Sequence, residues 1–339
     1  MVFSKHCTTF AALVPAKPLN NAQTGGAFFV ITTMNSFTKP YVTPSNLVKL
    51  LKSRGLVIND DLRAESYLKN IGYYRLSAYM HPFLKWPKNY HRFKDNATFD
   101  KVLNLYRFDK KLRVLLFNEI EKIEIAFREA VANITAKLSG DIFWICEAQH
   151  FRNQAAYAKT FSLIDTEYKK STEDFIKHFK NKYSNAYAPA WIIAEIIPFG
   201  TMIQLYKNLA NQRIRKQISM EFFLQPQVLE SWMTNLVLTR NACCHHSRIW
   251  NKVNLILPAD IKHIIQPWIT HPTSKDRIYF NICIVKFFLN TISPGNDFKT
   301  KLITLFDRFP AIDLKAMGFP SAWKTEPLWI HTENATSSM

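Results

Sequence analysis

The sequence predicts an all-α fold, and three observations carry that prediction. Between residues 99 and 138, Leu105, Phe108, Leu112, Leu115, Leu116, Phe117, Ile120, Ile123, Phe127, Val131 and Ile134 recur at steps of three and four. That spacing lines one face of a helix. Alternation of apolar and polar residues, the mark of a half-buried strand, is almost absent. Residues that start and stop helices punctuate the chain from Lys39 onward.

Taken in order, Thr43-Pro44-Ser45 supplies caps for a helix over 47–54, which Gly55 stops. Asn59 stands before a helix over 60–71 with acids in its first turn, where they complement the positive helix end, and Gly72 closes it. A run at 73–84 follows, then the long helix from Phe99, ended by Gly140. Further helices are predicted over 153–165, 173–183, 190–197, 201–209, 213–220, 227–247, 260–266, 274–291 and 297–309. Residues 1–38 hold no acidic residue and no helical period. They are expected to be a disordered leader, or to precede a true start at Met34. Residues 39–98 are expected to form an N-terminal helical region, residues 99–330 the main helical domain, and residues 331–339 a polar, disordered tail.

Composition narrows the function. Hydrophobic residues make up 47% and aromatics 14%, which supports a packed core and excludes wholesale disorder. Only 8 glycines are present, which argues against a glycine-rich phosphate loop. Lys and Arg number 44 against 26 Asp and Glu, a net charge of +18. Such a surplus points to a polyanion, RNA or DNA before an anionic membrane. The excess lies in two blocks on either side of a neutral middle, residues 141–200.

The five cysteines are odd in number and two are adjacent, so no disulfide framework is expected, and a reducing, cytoplasmic setting is. Cys243-Cys244-His245-His246 does not read as a zinc site. Structural zinc ligands are spaced to converge, whereas consecutive helical residues point around the circumference. No metal or cofactor is expected. The apolar runs 191–199 and 282–292 are short and interrupted by Glu195 and Lys286, so no membrane span is expected.

The informative stretch is residues 236–251, which holds Arg240-Asn241 followed by His245. An Arg-x4-His pair suits RNA cleavage without a metal. The substrate's own 2′-hydroxyl attacks the adjacent phosphate, and a His moves the proton at one of the two oxygens. An Arg holds the phosphate and its developing charge, and Asn241 can orient the imidazole or the phosphate. On a helix Asn241 and His245 share a face, while Arg240 lies about 140° from His245. Arg240 falls instead on the stripe of Leu229, Trp232, Met233, Leu236 and Cys243. A cation there needs a partner. The alternatives are Glu121 or Glu124 of the long helix, or a phosphate in a cleft between helices or between two subunits. On spacing alone, a buried Arg salt bridge beside a surface His is the favoured reading of the pair.

Several segments together resemble the Abi-like (abortive infection) proteins of bacteria. They are residues 67–77, Leu105 to Arg113, Ile120 to Glu124 with Arg128, and Pro189-Ala190-Trp191 with Glu195 and Phe199-Gly200-Thr201. Residues 240–251, and Gly318-Phe319-Pro320 with Trp323, complete the set, which spans residues 40–330 in order. The resemblance implies a HEPN-like helical bundle with an added N-terminal region, and a toxin-type endoribonuclease of phage defence. It implies Arg240 and His245 as the catalytic pair with Asn241 in support. A homodimer and a small structured RNA or other antitoxin are the partners implied. The chain departs from the family at the leader and at Cys244, where Ala is more usual.

Arg75, Arg107, Arg113, His246 and Arg248 are the groups expected to meet RNA. Glu121, Glu124, Arg128 and Glu195 are the expected supports. For Tyr73 and Tyr74 beside Arg75, packing in a helical hairpin competes with stacking on bases. For Arg107, Asp109 and Arg113 the favoured reading is a structural ion network, open to the cleft. A non-catalytic RNA-binding effector is the competing function, and it predicts salt-dependent binding without product.

Overall fold

A computed structural model describes residues 40–261 and 265–330. The expected leader and tail lie outside the described residues. The described helices all belong to one compact unit that begins at Thr43. The fold is all-α: among the described residues there is no β-strand, only isolated bridges.

The helices in chain order are α1 (Pro44–Ser53), α2 (Asp61–Ile71), α3 (Tyr73–Met80), α4 (Phe99–Ser139), α5 (Gln154–Lys170), α6 (Asp174–Lys182) and α7 (Ala190–Ile196). There follow α8 (Phe199–Asn208), α9 (Gln212–Met220), α10 (Pro226–Cys244), α11 (Ile278–Ile292), α12 (Phe298–Arg308) and α13 (Pro327–Ile330).

The axis of the fold is α4, 41 residues and about 60 Å long at 1.5 Å per residue. Thr98 caps it by accepting the Lys101 amide, and Gly140 closes it in the left-handed region at φ 72°. Its inward face buries Phe108, Leu112, Leu116, Ile120, Ile123, Phe127 and Val131. Helices α3, α7, α8, α9, α10, α11 and α12 all pack against it. Phe127 is the aromatic centre, with Phe199, Tyr206 and Phe222 rings 5.7–6.3 Å away. Helix α11 is buried on every side from Ile278 to Leu289 and mostly apolar, with Asn281 and Lys286 as the polar residues of that stretch.

The N-terminal helices share this core. At the start of α4 the Phe99 amide donates to the Val57 carbonyl and the Val57 amide to the Ala97 carbonyl, and Tyr79 meets Tyr106 edge to face. At the other end, Gly318 sits at φ 90°, where a Cβ would come within 2.7 Å of the Arg277 Cβ. Only glycine lets that turn close on the start of α11.

Four expectations need correction. Residues 260, 261, 265 and 266 are not helical, so the helix predicted over 260–266 is absent from the described part of that stretch. The 73–84 run is α3 followed by a single 3-10 turn, His81–Phe83. The 274–291 helix starts only at Ile278. Asp60 rather than Asn59 caps α2, accepting the Arg63 amide at 2.9 Å.

Phe127→Ala is expected to cost about 3–5 kcal/mol, because three aromatic neighbours cannot collapse into the space. Urea denaturation measures it, and a cost below about 1 kcal/mol would show that α4 is not the central packing element.

Candidate functional site

The site is built on the end of α10. Pro226 opens that helix at a position where its missing N–H is no loss. Leu229, Trp232, Met233, Leu236 and Cys243 anchor its inner face. The helix was expected to run to residue 247 but stops at Cys244. His246 turns into the left-handed region at φ 57°. The Ser247 amide then donates to the Ala242 carbonyl at 2.9 Å, and the His246 amide to Cys243 at 3.2 Å. This pair of bonds is the Schellman closure, normally made with glycine at the left-handed position. His245 is therefore the exposed last residue of the helical turn, its amide bonded to the Asn241 carbonyl at 2.9 Å.

Beyond the closure the backbone is irregular, so its N–H groups need partners from elsewhere. Asp109 of α4, fully buried, supplies them. It accepts the Ile249 and Trp250 amides at 3.1 and 2.7 Å, the Tyr79 hydroxyl at 2.6 Å and Arg113 Nε at 3.1 Å. These four bonds match the acceptor capacity of a carboxylate. Burial first, and then the Asp109 charge, hold the Tyr79 hydroxyl far above its ordinary pKa, so it remains a donor.

Three arginines pin the same segment. Arg75 of α3 donates to the His246 carbonyl at 2.7 Å, where the helix end is partly negative. Arg248 donates back to the Ala78 carbonyl at 2.6 Å. Arg277 holds the Asn251 side chain at 2.7 Å.

Arg240 lies on the α4 side of the helix. Its Nε stands 3.6 Å from Glu124 Oε2, and its Nη1 donates to Asn241 Oδ1 at 3.3 Å. Of the two carboxylates considered for it, Glu124 is the one in reach, while Glu121 is exposed. Glu124 also pairs with Arg128 one turn along α4. Arg128 in turn donates to the Ala194 and Ile197 carbonyls at the end of α7. Two guanidinium groups thus share one carboxylate, and the trio keeps a net positive charge. The Arg240 side chain is 28% exposed, open enough to meet an anion.

The remaining expected site residues divide. Arg113, expected to meet RNA, is buried and bonded to Asp109, one helical turn away. Arg107 is exposed and lies over the Tyr67 ring, with a hydrogen bond to its hydroxyl at 2.5 Å. Glu195 was expected to have an arginine partner or to lie near the site, but it is exposed and makes no ion pair among the described residues. α7 reaches the Glu124 group through main-chain carbonyls instead.

Two residues absent from the sequence reading join the site. His81 follows α3 directly, and Lys88 Nζ is 3.4 Å from its Nδ1. Partial burial, then Lys88 and Arg248, lower the His81 pKa, which keeps the ring neutral near pH 7. Cys243 is a core thiol: burial above all, with Asp109 raising and Arg113 lowering, leaves it pushed up to about 12. Among the described residues no group of three His, Cys, Asp or Glu side chains is placed to hold a metal ion. No described helix is long and apolar enough to cross a membrane.

An all-α fold with a basic helix terminus clamped by a buried carboxylate is the class that this geometry defines. A family model described as Abi-like protein matches residues 66–251, more than half of the chain, and the chain belongs to that family. The match ends at Asn251, the last residue of the clamped segment, and includes Asp109, Glu124, Arg240 and His245. Comparison with curated proteins and with solved structures returns no match.

Asp109→Asn removes the partner of a buried guanidinium and is expected to cost about 3–5 kcal/mol. An unchanged urea midpoint would show that Arg113 finds another anion. His246→Gly is expected to raise stability by about 1 kcal/mol, since glycine meets no Cβ penalty in the left-handed region. A lowered melting temperature would contradict the closure described above.

Proposed function

We propose that the chain is an abortive-infection effector that cuts RNA with Arg240, Asn241 and His245. The observation that carries this reading is the placement of the motif inside the family-matched segment. Arg240 is partly open beside Asn241, and His245 is exposed at a helix end held from two other helices. Abortive infection is the role that membership of the family supports.

In the proposed reaction the ribose 2′-oxygen attacks the neighbouring phosphorus, and the bond to the 5′-oxygen breaks. His245 takes the 2′-hydroxyl proton or gives one to the departing 5′-oxygen. The products are a 2′,3′-cyclic phosphate and a 5′-hydroxyl. Arg240 holds the non-bridging oxygens as charge builds on them, and Glu124 keeps its guanidinium on the α4 side. The nucleophile comes from the substrate, so the chemistry calls on no cofactor. Arg240 and His245 project from different sides of α10, which favours a HEPN-type homodimer in which two motifs surround one phosphate. An antitoxin, protein or structured RNA, would cover that terminus.

Purified protein is expected to cut RNA in the presence of chelator. Arg240→Ala and His245→Ala should each lower the rate by about 10²-fold or more, and His245→Ala should relieve growth arrest on overexpression. Salt-dependent RNA binding with no product from the parent protein would favour the non-catalytic effector.

A further inference from the structure

Residues 84–93 form a short hairpin of which the site above uses only Lys88. Its arms are joined by an antiparallel bridge between Leu84 and Phe93, with Lys85 donating to Arg92 at 2.8 Å and Lys94 to Phe83 at 2.8 Å. Leu84 and Phe93 turn into the core. Trp86 and Tyr90 turn out, 85% and 69% exposed, and Tyr74 at the start of α3 is 92% exposed. Aromatic rings this open contribute little to the fold and leave their faces free.

The charged residues of this stretch are of one sign. From Tyr73 to Lys94 the chain carries Arg75, Lys85, Lys88, Arg92 and Lys94 with no acidic residue. Arg92 and Lys94 fasten the hairpin by donating to the Ser53 and Pro82 carbonyls, neutral acceptors that leave their charge in place. Among the described residues, Lys85 alone of the five has an ion pair, to an exposed Asp95 at 2.8 Å. The hairpin also adjoins the site. Lys88 touches His81, which follows α3, and α3 carries Arg75 on the His246 carbonyl and receives Arg248 at Ala78.

Open rings set among unopposed cations suit a strand whose bases are unstacked and whose phosphates run alongside. We propose that Tyr74, Trp86 and Tyr90 form a base-stacking surface that binds single-stranded RNA beside the α10 terminus. The choice of RNA rests on the function proposed above. A duplex keeps its bases stacked inside and offers these rings nothing.

The test uses the full chain carrying His245→Ala, so that the probe survives, and follows fluorescence anisotropy with a labelled oligouridylate and a labelled RNA duplex. Trp86→Ala and Tyr90→Ala are each expected to weaken oligouridylate binding about ten-fold, with the salt slope and melting temperature unchanged. Trp86→Phe should retain most of the affinity. Lys88→Ala should instead lower the salt slope by about 0.7. Equal binding of the duplex, or full affinity in both aromatic variants, would overturn the proposal. A parent chain that binds through Trp86 but cuts nothing would overturn the nuclease and leave this surface standing. Cleavage with no dependence on Trp86 or Tyr90 would do the reverse.

Discussion

A buried carboxylate on α4 holds the end of α10. Asp109 gives up its water, a loss of several kcal/mol for an ion. It recovers that through four hydrogen bonds, of which those to charged groups contribute about 1.5–3 kcal/mol each. Two of the four come from peptide groups far along the chain, so the bonds join α3, α4 and the segment after the motif into one body. Without them Ile249 and Trp250 would carry buried, unanswered amides. The left-handed turn at His246 would then be held only by its own closure bonds and by the arginine on its carbonyl, Arg75. Glu326 repeats the device. It is buried and accepts the Thr270 and His271 amides at 2.7 and 3.1 Å, fixing the irregular approach to α11. Burial would raise the Glu326 pKa, but the bonds from Thr270 and His271 outweigh it and hold the carboxyl below its ordinary value.

The arginines show how a basic chain keeps its charge where it is wanted. Arg113 meets a carboxylate and is electrically silent. Arg75 and Arg248 meet carbonyl oxygens, which satisfy an N–H but cancel no charge. Both therefore do structural service and still project a positive field at the α10 terminus. Arg128 and Arg240 lie between these cases, sharing Glu124. The net charge of +18 is thus divided by partner type rather than spread evenly over the surface.

Most of the helical layout was legible because its signals are local. The period of α4 and its Thr98 and Gly140 ends are visible within the segment itself. So is the Asp109–Arg113 pair, one turn apart. The end of α10 was not legible, because its closure uses His246 where glycine would have marked it. Nor were the partners of Asp109 at Ile249 and Trp250, which no local spacing reveals. A clue did exist: Asp109 falls on the apolar stripe beside Leu105, Phe108 and Leu112, where a lone carboxylate must find donors. Glu195 misled in the opposite way. Its neighbours are apolar, yet α7 is a short helix whose Glu195 side faces outward.

The separation of Arg240 from His245 follows from these same constraints. Arg240 is drawn toward α4 by Glu124, while His245 is held at the exposed end by the closure and by Arg75 behind it. Neither can swing far without breaking a bond that the fold uses. About 140° of helix lies between them, so they cannot approach one phosphate simply by stacking. In the proposed reaction a strand would bend around the end of α10, or a second copy would bring the missing group. Either arrangement would call for a rigid terminus, because a reacting phosphate rewards only groups already in place. In that reading the buried clamp at Asp109 would serve the chemistry of the motif as well as the stability of the fold.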